Sequence, residues 1–183
     1  MFISNWEWIR LLGFLAYFNF TISIVFGLLR KSTIIKKNKN LVFHIHQVAS
    51  WMGLFTLIGH MLLLILDKFE PFTIGELLIP FKADYETVFS TLGTIAFYLF
   101  LFVIFNSDLW IRKLGFSLWK KSHFLVFPAW IFSLLHSIFL GTDSERPMIT
   151  VFYGISVCAV VLLLLLRAFS HQRLSTHREK GVS

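Results

Sequence analysis

Residues Leu41–Leu66 read LVFHIHQVASWMGLFTLIGHMLLLIL, an apolar run that nonetheless carries three histidines, His44, His46 and His60. About 20 apolar residues in a helix cross roughly 30 Å of hydrocarbon, so the run reads as a membrane span. Ionisable groups at such depth are costly and by default mark function. His46 and His60 are 14 residues apart, which on a helix is about 21 Å of rise and a return to within about 40° of the same face. His44 points nearly opposite to His60, so the stripe belongs to His46 and His60.

Four more runs of this kind flank it: Ile9–Leu29, Tyr85–Phe105, Phe124–Leu140 and Met148–Leu166. The chain of 183 residues is 56% hydrophobic and 15% charged, far from the quarter or so charged in soluble domains. No alternating ten-residue pattern suggests a barrel, so the expected fold is all-α, an integral membrane bundle of five spans. The first run is too long for a signal-peptide core and is expected to stay uncleaved. The lone Cys158 excludes a disulfide framework. The net charge of +7 has no polar face on which to form a nucleic-acid patch, so no nucleic-acid partner is expected. Basic residues instead follow the loops. Thirteen of the 17 Lys and Arg fall between spans one and two, between three and four, and after five, against Arg10, Lys68, Lys82 and Arg146 on the other side. Lys and Arg concentrate in cytoplasmic loops, which predicts N-terminus out, C-terminus in, and a multi-pass protein of the cell membrane. The outer loop Asp67–Glu86 reads as interfacial or as a lid, and 170–183 as a polar cytoplasmic tail after a membrane domain of 1–169.

The fourth run adds His136, and His123 stands just before it. In that topology both His-bearing helices run outward, so His46 lies level with His123 and His60 level with His136. Two facing imidazoles at two depths make two stacked sites. Zinc would want further N or S ligands, and the spans offer no other Cys or carboxylate. Haem brings four equatorial nitrogens and needs only axial ligands, for which imidazole is suited. The lattice therefore points to two b haems with metal ligands His46, His60, His123 and His136. Gly13, Gly27, Gly53, Gly59, Gly93 and Gly154 read either as room for a flat macrocycle or as close helix packing. Arg112 and Lys121 are the leading candidates among the basic-loop residues to meet the inner haem's propionates. No residue stands out as catalytic in the acid–base or nucleophilic sense. The alternative class is a non-redox protein using stacked His as a proton or ion relay. One detail is unaccounted for by periodicity: 13 residues from His123 to His136 turn about 220° on an ideal helix. Pro128 lies between them and is expected to reposition His136.

HQVASWMGLFTLIGH in the second span and LGFSLWKKSHFLVFPAWIFSLLH leading through the fourth resemble the ferric reductase-like transmembrane domain. Trp51 and Trp119 beside the histidines are part of the likeness, which runs from about Arg10 to Arg167. The resemblance implies that His46 and His123 ligate an inner haem and His60 and His136 an outer one. It implies electron transfer from a cytosolic-side reductase or quinol to an acceptor protein or ferric complex outside. The chain is similar to stand-alone bacterial haem subunits, such as the haem-binding membrane subunit of the methionine-sulfoxide reductase system. A flavin or nicotinamide module is not expected within it, so the chain alone is not expected to oxidise NADPH.

Overall fold

The computed structural model describes residues 4–30, 37–143 and 146–180, and leaves the side chains of 111, 112, 114 and 170–180 undescribed. Its helices are α1 (Asn5–Arg30), α2 (Lys39–Ile65), α3 (Ile74–Leu78), α4 (Thr87–Asp108), α5 (Ile111–His123), α6 (Val126–Leu140) and α7 (Pro147–Lys180). Among the described residues five helical stretches are long and apolar enough to cross a membrane: α1, α2, α4, Gly115–Leu140 and Pro147–Phe169. The protein is thus a multi-pass, all-helical membrane protein. Exposed Val48, Met52, Phe55, Leu62 and Leu66 form a stripe along α2, as a helix facing lipid requires. α7 continues beyond residue 169 as far as Lys180.

Two antiparallel pairs carry the architecture: α1 lies along α2, and α4 along α6, with α6 and α7 also against α1. The N-terminal face, rich in acidic residues, gathers the start of α1 and the α2–α4 connection; the opposite, basic face gathers α5. On the acidic face α1 begins with a reciprocal cap: Ser4 N–H donates to Glu7 Oε2 at 2.7 Å, and Glu7 N–H to Ser4 Oγ at 3.3 Å. α3 repeats the device with Thr73 and Glu76, a pairing that satisfies helix-terminal N–H groups. The Thr73 hydroxyl and amide donate to Glu76 and hold its carboxyl below the usual range. The carboxylate form is the one stabilised, so this cap persists at neutral pH and is lost as pH falls through the lowered value.

Buried polar side chains tie the spans together. Trp130 Nε1–H donates to Thr21 Oγ1 at 2.9 Å, joining α6 to α1, and the Tyr17 hydroxyl meets Ser156 Oγ at 2.7 Å, joining α1 to α7. Such bonds replace the hydrophobic drive that lipid cannot supply. At the centre Phe20 and Phe100 stack with centroids 3.7 Å apart and planes 7° apart.

The helix breaks at the start of the expected fourth span, Phe124–Leu140. His123 is the last residue of α5, and Phe124–Leu125 form a turn before α6. Pro128 in the first turn of α6 has no N–H, and its ring would strike the carbonyl of Phe124 in a continuous helix. Three bonds there are of the tighter i→i+3 kind: Phe124 to Lys121, Leu125 to Ser122 and Phe127 to Phe124, at 3.2, 3.1 and 3.2 Å. Each such step turns about 20° further than an α-helical one. That rewinding brings His136 round toward the side of His123. α5 is itself kinked at Gly115, whose φ of 73° is tolerated without strain only by glycine.

A methyl group on Gly53 would lie 2.7 Å from the Phe20 ring, while one on Gly154 would meet nothing within 4 Å. Gly53→Ala should therefore cost about 1–3 kcal/mol through overpacking. Gly154→Ala should be neutral or stabilising by up to about 1 kcal/mol. Thermal unfolding of the two variants in detergent measures the contrast.

Candidate functional site

The structure brings His46 and His123 together at the basic end, with ring centroids 6.1 Å apart and planes at 68°. His60 and His136 stand toward the acidic face, and both line a cavity of about 380 Å³. His44 is exposed and belongs to neither pair.

Three of the four rings are seated in the same way. His60 Nδ1–H donates to the Ile9 carbonyl at 2.8 Å, His46 Nδ1–H to the Ser23 carbonyl at 2.8 Å, and His136 Nδ1–H to the Phe89 carbonyl at 2.9 Å. A carbonyl only accepts, so Nδ1 carries the proton and Nε2 keeps its lone pair. Each accepting carbonyl lies four residues before a glycine, and the imidazole rests on that glycine. A Cβ there would approach the ring to 3.1 Å at Gly13, 3.2 Å at Gly27 and 2.6 Å at Gly93. Gly13 and Gly27 are 14 residues apart on α1, as His46 and His60 are on the antiparallel α2. One register thus serves both depths.

The fourth ring differs. Ser107 stands 14 residues after Gly93 on α4, and His123 Nδ1 meets its Oγ at 3.0 Å. Trp119 Nε1–H also donates to that oxygen at 3.2 Å, and its ring lies 5.2 Å from the imidazole. A serine hydroxyl is also present at His46, where Ser23 Oγ stands 2.9 Å from Nδ1 beside the Ser23 carbonyl and donates to the His46 carbonyl at 3.0 Å.

Of the four basic residues counted on the less basic side, Arg10 is among those lining the cavity, and Lys68, Lys82 and Arg146 are not. Arg10 Nη1 pairs with Asp143 Oδ1 at 2.9 Å, and its buried Nε has no hydrogen-bond partner among the described residues. On the basic face Lys121 is exposed, while Lys31 and the Arg112 side chain lie outside the described residues. Arg30 sits with its guanidinium 4.1 Å over the Phe43 ring. The loop before α4 contributes Phe72, Glu76, Leu77 and Tyr85 to the cavity wall. It is tied down by Tyr98 donating to the Leu78 carbonyl at 2.7 Å and Thr94 to the Leu77 carbonyl at 3.1 Å. Of the two readings of that loop, the wall over a cavity fits its position.

Residues 12–134 match the family described as ferric reductase like transmembrane component. The chain belongs to this family. The match takes in His46, His60 and His123 and ends just before His136. No curated protein and no solved structure gave a significant match.

In this ferric reductase-like bundle, no three His, Cys, Asp or Glu side chains converge on a metal position among the described residues. Two imidazoles per level suit an ion that arrives with other donors of its own. The glycine seats set how well the rings can hold position. Gly93→Ala should displace His136 and cost about 1–3 kcal/mol. Gly13→Ala and Gly27→Ala, with contacts at 3.1 and 3.2 Å, should cost less. The ranking of the three melting temperatures in detergent tests the seats.

Proposed function

We propose that this ferric reductase-like chain carries electrons across the membrane through two b haems, one held by His46 and His123 and one by His60 and His136. The observation that carries the reading is the 6.1 Å between the centroids of His46 and His123. Metal–imidazole bonds are about 2.0–2.1 Å long, so rings this close would be able to hold one metal ion between them. The protonated Nδ1 of His46, His60 and His136 supports it further. Metal-ligating histidines typically donate the second ring N–H to a carbonyl, which fixes the tautomer and raises ligand basicity. Bound haem supplies one-electron ferric/ferrous chemistry.

The chain's own residues do the rest. His60 and His136 face the cavity from two helices, and Gly13 and Gly93 leave room beside them. Arg10, whose Nε has no hydrogen-bond partner among the described residues, offers charge to an anionic edge group such as a propionate. The excess of basic residues around His46 and His123 supports a cytosolic side for that pair. Electrons then enter there from a separate reductase or from quinol. They leave near Glu70, Glu76 and Tyr85 to an acceptor protein or ferric complex. The relay alternative fares worse on the same geometry. A relaying imidazole must pass a proton through both nitrogens, and three Nδ1 protons here end on backbone carbonyls.

Purified protein should contain two haems per chain by the pyridine haemochrome assay. His46→Ala and His123→Ala should each remove the same haem, His60→Ala and His136→Ala the other, and His44→Ala neither. A colourless protein, or loss of haem on removing His44 alone, would sink the reading.

A further inference from the structure

We propose that Ser107 and Trp119 are positioning residues that make the basic-face iron site electronically distinct by giving His123 a weaker hydrogen-bond acceptor than the other three histidines have. The inference rests on the haem reading above. Its basis is a break in an otherwise repeated pattern. His46, His60 and His136 each donate Nδ1–H to the carbonyl four residues before a glycine, His46 with the Ser23 hydroxyl at 2.9 Å beside that carbonyl. At the matching position on α4 the glycine is replaced by Ser107, whose Oγ stands 3.0 Å from His123 Nδ1. The equivalent carbonyl would be that of Val103, four residues earlier.

The chemistry of the two acceptors differs. A carbonyl can only accept, and in a helix its second lone pair is available to a side chain. A serine hydroxyl can donate or accept, and this one already takes the Trp119 N–H at 3.2 Å. Indole N–H is a donor only, so the order Trp119 to Ser107 is fixed. For His123 to present Nε2 to a metal, its Nδ1 must be protonated and Ser107 must accept a second time. A hydroxyl oxygen, already engaged by Trp119, draws less strongly on the Nδ1 proton than the more polar amide carbonyl of a helix does. His123 is therefore left less basic at Nε2, because donation to the partner is what raises ligand basicity. A weaker donor favours the ferrous state. The site beside the proposed entry point is thereby made easier to reduce than four identical seats would make it.

Trp119 also fixes the ring in space. It stacks at 31° to His123 and is itself packed on Phe116 at 5.4 Å. The 68° between the His46 and His123 planes is thus held from the α5 side.

The test is a spectroelectrochemical titration of the haem-loaded full chain and three variants. Ser107→Gly, which recreates the seat found at Gly93, should shift the midpoint potential of one haem downward and leave the other in place. Trp119→Phe, which removes the competing donor, should shift the same haem in the same direction. Ser107→Thr, which keeps the hydroxyl, should titrate as wild type. The ferric EPR signal of that haem, sensitive to the angle between imidazole planes, should move with Trp119→Phe. The haem that shifts should be the one lost on His123→Ala. If the wild type holds two haems but Ser107→Gly and Trp119→Phe leave both potentials unmoved, the proposal falls while the haem reading stands. A shift with Ser107→Thr as large as with Ser107→Gly would also overturn it, since bulk rather than the hydroxyl would be responsible. Should Ser107→Gly not accumulate, the Trp119→Phe potential decides. Wild-type protein without haem would sink both readings together.

Discussion

An imidazole N–H reaching a helix carbonyl through the gap left by a glycine is the constraint on which this bundle depends. Carbonyls inside a helix are screened by neighbouring side chains, and only a missing Cβ lets a partner ring come so near. His60 over Gly13, His46 over Gly27 and His136 over Gly93 each use such a gap. A met hydrogen bond of this kind contributes only about 0.5–1.5 kcal/mol, but leaving the buried N–H unmet costs about 1–3 kcal/mol. Sliding α1 past α2 by one residue would forfeit two bonds and push Cβ atoms into two rings. Register is therefore fixed far more sharply than apolar packing against lipid-like neighbours could fix it.

The second pair meets the same constraint by another route. α4 supplies Gly93 at one depth and Ser107 at the other, and α6 cannot deliver both histidines as one continuous helix. The Pro128 break and the tight turns around Phe124 and Leu125 supply the missing rotation. His123 consequently hangs from the end of the amphipathic helix α5, on the far side of the turn from α6. That position lets Trp119, on the same short helix, reach Ser107 as well.

The spans were legible because hydrophobic run length is a local property, and the choice of His46 over His44 was legible because helical periodicity is. The rotation between His123 and His136 was not, since periodicity presumes an unbroken helix; Pro128 marked the place but not the amount. The place of Arg10 in the cavity wall was not legible, because its pairing with Asp143 joins residues far apart in sequence. Gly13, Gly27 and Gly93 were visible as candidates, yet a glycine that packs a helix and one that seats a ring look alike until the partner helix is set beside it. With hindsight the clue was shared spacing: 14 residues separate Gly13 from Gly27, Gly93 from Ser107, and His46 from His60.

The stacked Phe20 and Phe100 have a consequence of their own. Phe20 lies midway between Gly13 and Gly27, Phe100 midway between Gly93 and Ser107, and Gly53 midway between His46 and His60. The two rings are 3% and 2% exposed and offer neither donor nor acceptor at the waist of the bundle. Water has nothing to bind there, so a hydrogen-bonded file along the axis is interrupted by an apolar plug. An electron passing between the two histidine pairs, as proposed, would tunnel across such a gap, whereas protons and cations would not follow. Transfer through this chain would then be electrogenic: each electron moved outward would leave its compensating proton behind and dissipate part of the membrane potential.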